Sequence, residues 1–123
     1  MNPKTRNLTG WILTGLIAFV FIASAFMKLF GNEAEMLKNA SGFGLSLATI
    51  KELGVLELIC IGLFIYPRTA ILGTLLVAAY MGGAIATHLE HQLPIITPVI
   101  IEAVVFINAA VRFPELSKRL MGN

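Results

Sequence analysis

Four ionisable side chains lie within or at the edge of long apolar stretches, and they carry most of the chemistry this sequence offers: Lys28, Glu57, His88 and Glu102. A charge inside a bilayer costs about 2.5–3.5 kcal/mol on insertion scales, so such groups turn toward a bundle interior or a cavity. Glu57 lies eleven residues before Arg68, and Glu102 ten before Arg112. At about 1.5 Å per helical residue, both carboxyls sit roughly 15 Å from that membrane edge, near mid-bilayer. So short a side chain cannot snorkel from there. Either the two are neutral acids hydrogen-bonded between helices, or they hold protons at a functional site, and the second reading is preferred. Lys28, twenty residues beyond Leu8, and His88, twenty beyond Arg68, both reach the opposite edge. Taken singly, Lys28 reads as a snorkelling lysine and His88 as the start of a polar turn. Ser24, one turn before Lys28, extends a polar wall on the same helix. Two carboxyls sharing a site with Lys28 or His88 nearby are expected to divide into one ionised and one neutral group.

The elements that must position these groups follow from composition. Of the 123 residues, 57% are hydrophobic and 13% charged, about half the charge content of an ordinary soluble domain. Disorder is excluded for the same reason. The run Leu8–Met27 holds no charge. It follows a short basic tail and contains Ala23-Ser24-Ala25, which mimics a cleavage site, yet it is long enough to span and is read as a first transmembrane helix. Asn32 with Glu35 predicts a capped surface helix through Lys38. Thr49 with Glu52 predicts the start of a second span, which runs to Tyr66 before Pro67. A third runs from Thr69 to His88. The fourth lies between Leu93 and Arg112, starting either at Pro98 behind a Thr97 cap or at Leu93 with a kink at Pro98. The expected fold is one all-α domain, a four-transmembrane-helix bundle with spans at about 8–30, 50–66, 69–88 and 94–112. Lys4, Arg6, Arg68, Arg112, Lys118 and Arg119 fall on one side, against Lys28, Lys38 and Lys51 on the other. Both termini are therefore expected in the cytoplasm.

Lipid gives helices no hydrophobic reason to associate, so small residues mark their contacts. Gly54 and Gly62 on the second span, and Ala78, Gly82 and Ala86 in a four-residue repeat on the third, are the expected packing positions. Homodimerisation through such a row is the other use for them.

Other chemistry is absent or weak. The net charge of +2 is too small and scattered for a nucleic-acid partner. The lone Cys60 cannot form an internal disulfide or a redox pair. His88-x-x-His91 is a low-specificity metal pattern, and no metal site is expected. Gly82-Gly83 is no phosphate loop, and the triplets at Asn7 and Asn39 match a glycosylation acceptor that short sequences meet by chance.

Ser24-Ala25-Phe26-Met27-Lys28-Leu29, Gly54-Val55-Leu56-Glu57-Leu58, Met81-Gly82-Gly83-Ala84 with His88, and Pro94 with Pro98 follow one another in a spacing that resembles the DoxX-like family of small bacterial four-helix membrane proteins. The resemblance runs from Trp11 to Arg112. It implies the bacterial inner membrane and a relation to a membrane subunit of a thiosulfate:quinone oxidoreductase, with other relatives linked to redox stress or to the assembly of partner proteins. It transfers no catalytic residue; Lys28, Glu57 and His88 match as candidates, and Glu102 rests on depth alone.

Two functions fit. A quinone-binding or quinone-linked redox subunit needs an apolar slot, donors for carbonyl oxygens and a nearby proton acceptor, which Lys28, His88, Glu57 and Glu102 could supply. No haem, flavin or iron–sulfur motif is visible, so electrons would need a redox partner subunit or a soluble donor. The alternative is a non-enzymatic scaffold, assembly factor or binder of a small apolar ligand. A proton-coupled transporter would need a dimer to form a pathway at this length.

Overall fold

The computed structural model describes residues 2–122; the side chains of residues 39–41, and with them the Asn39 triplet, lie outside the described part. Every regular element described is helical: α1 (Pro3–Phe30), α2 (Glu33–Ala40), α3 (Leu47–Ile65), α4 (Ala70–Glu90), α5 (Ile96–Arg112) and α6 (Pro114–Leu120), with short 3-10 turns at Ser41–Phe43 and Pro67–Thr69.

Local chemistry sets the boundaries. The Asn2 side chain accepts the Lys4 N–H at 2.8 Å and Pro3 takes the first helical position, so α1 starts before its apolar run. Asn32 Oδ1 accepts the Glu35 N–H at 3.1 Å, as the spacing predicts, and α2 runs on to Ala40. For α3 the cap is Ser46, not Thr49: Ser46 Oγ accepts the Thr49 N–H at 3.3 Å. Both residues have a polar partner three positions on, and the earlier one wins because the chain turns helical there. α5 begins at Ile96 with no side-chain cap. Pro98 thus lies inside the first turn, where its missing N–H costs nothing, and Thr97 is within the helix rather than capping it.

α1 packs on α3 and α5, and α4 packs on the same two. Two helical stretches, Pro3–Phe30 and Pro67–Glu90, are long and apolar enough to cross a membrane, or three if α5 and α6, which meet at 109°, count as one span. α3 has 19 residues but carries Lys51, Glu52 and Glu57, while α5 alone has 17.

The two ends of this assembly are built differently. At the end holding the start of α1, the contacts are dense. Asn108 Nδ2 donates to Thr14 Oγ1 at 3.0 Å, both residues fully buried. Arg112 donates to the Phe64 and Ile65 carbonyls at 2.7 and 3.1 Å, meeting the unpaired oxygens and negative pole at the end of α3. Its guanidinium also lies 5.2–5.3 Å from the Trp11, Phe64 and Phe113 rings, within cation–π range. Gly73 of α4 lies so close to α3 that a Cβ there would fall 2.1 Å from the Phe64 nitrogen. Between this seam and the far end, Phe21, Ile61, Val77 and Val105 form an apolar core. The far end, where α2 and the turn after α4 lie, is hollow.

Candidate functional site

The hollow is a cavity of about 600 Å³ lined by α1, α3, α4, the start of α5 and the Ser41–Leu45 connection. Most of its wall is apolar, including Phe21, Leu53, Leu56, Met81 and Ile101. A second hollow of about 530 Å³ adjoins it beneath α2 and shares Val20, Ser24, Lys28, Phe43 and Leu45.

One wall carries a polar cluster centred on Glu57, which is almost completely buried in the middle of α3. Its Oε1 accepts from the Lys28 ammonium, from the Ser24 hydroxyl at 3.2 Å and from the Tyr80 hydroxyl at 2.5 Å. Lys28 Nζ also donates to Ser24 Oγ at 2.5 Å. Three helices thus meet at one carboxylate oxygen. The chain can bring them that close because Gly54, one turn before Glu57, has no side chain: a Cβ would lie 3.0 Å from Leu29 Cγ and 3.1 Å from Lys28 Cβ. An ion pair with further hydrogen bonds is the arrangement that makes burying two charges tolerable.

The expected site residues therefore separate. Ser24, Lys28 and Glu57 come together. His88 lines the same cavity without joining the cluster: its Nδ1–H donates to the Ala84 carbonyl at 2.6 Å, and the Phe43 ring packs edge-on at 4.8 Å. His91 is tied in the same way to the Thr87 carbonyl at 3.0 Å. No group of three His, Cys, Asp or Glu gathers among the described residues. Glu102 does not share a site with Glu57. It lies against α4, where a Cβ on Gly82 would sit 3.7 Å from its Oε2, and its Oε1 is buried without a partner. Depth along a helix fixes a residue's level and leaves its direction around the axis open.

The packing positions divide similarly. Gly54 is a tight contact, and Ala78 packs against the core. Gly62 and Ala86 face outward on this chain, Gly62 with nothing within 4 Å, while Gly82 is exposed but lies beside Glu102 of α5. The close approach on α4 runs through Gly73, Val77 and Met81 instead. Sequence reasoning also missed Tyr80, whose hydroxyl completes the cluster, and the Thr14–Asn108 and Arg112 contacts at the other end. The signal for Tyr80 was available: it is one of two tyrosines, and a phenol within an apolar run needs a hydrogen-bond partner.

No curated protein and no solved structure matches the chain. The model of the DoxX-like family matches residues 12–111, a stretch that contains all four long helices except the first turns of α1 and the last residue of α5, and every residue of the polar cluster. With that coverage, and helices long and apolar enough to cross a bilayer, the chain is a membrane protein belonging to the DoxX-like family.

Proposed function

We propose that the protein crosses the bacterial inner membrane four times and holds a small apolar ligand with a polar head in the Glu57 cavity, a quinone-type ring being the class that fits. One observation carries this reading: a mainly apolar cavity of about 600 Å³ with a charged, hydrogen-bonded cluster on one wall. That volume lies in the ordinary range for small-molecule sites, which pair apolar walls with a few orienting polar groups. A redox role would place electron donors on a partner subunit. α3 completes its crossing in this reading because Lys28 offsets Glu57 and because Lys51 and Glu52 lie in its first turns, at the membrane edge.

The binding test uses delipidated protein and a short-chain ubiquinone or menaquinone analogue. Saturable binding is expected, weakened in Lys28→Met. Uptake that never saturates, and is the same in the variant and in empty micelles, is simple partitioning and removes the ligand reading. The scaffold reading would then stand, supported by the outward-facing Gly62 and Ala86, which could seat a partner helix or a second copy.

Orientation is tested separately. With both termini cytoplasmic, reporter fusions at the C-terminal end and within Gly42–Leu45 should report opposite compartments. The same signal from both sites would overturn four crossings with that orientation.

A further inference from the structure

We infer that the cavity selects a ligand that donates a hydroxyl proton, a hydroquinone or phenol, over one that offers only carbonyl oxygens. This rests on the ligand reading above and narrows it. The polar wall has few free donors and several free acceptors. Ser24 and Tyr80 each have one hydroxyl proton, and both are committed to Glu57 Oε1. Lys28 has three N–H groups, of which two are committed, to Glu57 and to Ser24. Its third is the cluster's one remaining donor.

Acceptors remain in larger number. Glu57 Oε2 takes no hydrogen bond from any described residue. It is also not one of the sealed, unpartnered oxygens, which are Glu102 Oε1 and Asn108 Oδ1 among the described residues; the open space Glu57 borders is the cavity. Tyr80, having donated its proton, keeps lone pairs.

A ring hydroxyl meets this wall on both counts: its O–H donates to Glu57 Oε2 and its oxygen accepts from Lys28. A ring carbonyl meets only the lysine. It leaves a carboxylate oxygen unpaired and brings its own lone pairs against it, beside an almost completely buried residue where an unmet polar group is expensive.

The test compares three ligands on one ring and side chain: a short-chain benzoquinone, its hydroquinone kept reduced under anaerobic conditions, and the dimethyl ether of that hydroquinone, each affinity corrected for the ligand's own partitioning into empty nanodiscs. Affinities are measured on the intact protein in nanodiscs. The hydroquinone should bind roughly 10- to 100-fold more tightly than both others, the range of one hydrogen bond to a charged group. Glu57→Gln, whose amide offers a donor to a carbonyl, should shrink the gap between hydroquinone and quinone. If that variant does not fold, the ether comparison on the parent protein decides alone. Saturable binding of all three with equal affinity overturns the selectivity and leaves the ligand reading in place; saturable binding of none overturns both.

Discussion

Lys28→Met should destabilise the protein by about 3–5 kcal/mol, the range seen when one partner of a buried ion pair is removed. Methionine keeps much of the length and apolar stem of the lysine, so the loss reports charge and hydrogen bonding more than volume. What remains is a carboxyl at the centre of α3 held by Ser24 and Tyr80 alone. Equilibrium unfolding in detergent measures the effect. Combining Lys28→Met with Glu57→Leu should recover a large part of the loss, because no unpaired charge is then left in the interior. A single variant within about 0.5 kcal/mol of the parent, the scatter of ordinary surface changes, would mean that the pair is not buried in the folded protein.

Gly73→Ala should cost at or beyond the upper end of the ~1–3 kcal/mol typical of overpacking. The new methyl would fall 2.1 Å from the Phe64 nitrogen and 2.3 Å from its Cα. These are backbone atoms of α3, and no rotamer change can move them aside. α3 and α4 would have to separate, loosening Phe64 and the carbonyls that hold Arg112. Gly62→Ala is the matched control: its Cβ meets nothing within 4 Å, and alanine favours a helix over glycine by up to about 1 kcal/mol. Thermal stability in the same detergent should therefore fall for one and hold or rise for the other. Equal behaviour of the two variants would place the α3–α4 contact elsewhere.

The order of the elements was legible because it depends on counting along the chain. An apolar run has a length and a cap has a spacing, but counting by the fixed rise per residue set Lys28 at the outer edge and Glu57 near mid-bilayer, whereas the long lysine side chain pairs with that carboxylate in the structure. Rotation about each helix axis was not legible. In a soluble helix the polar face reveals it; in a helix whose outer face meets lipid both faces are apolar. Glu102 was therefore assigned to a site it does not share with Glu57, while Gly73 passed unnoticed. Tyr80 escaped for a related reason, since hydropathy counts its ring and overlooks its hydroxyl. The α3 cap was ambiguous in kind: Ser46 and Thr49 both carry a suitable partner three residues on, and only the path of the preceding loop separates them.

The adjoining hollow beneath α2 opens between α1 and the connection to α3. Its α1 wall includes Phe19 and Met27, 72% and 65% exposed, side chains that face acyl chains when the helix lies in a bilayer. Lys28 and Phe43 stand where the two hollows meet. A molecule arriving this way comes sideways out of the leaflet and sheds no water shell on the journey. On the proposed ligand reading, occupancy of the Glu57 site would be governed by the mole fraction of ligand among the lipids. A compound too scarce in water to be measured could then still saturate the site, and that reading expects two membranes with different lipid pools to hold the same protein in different states.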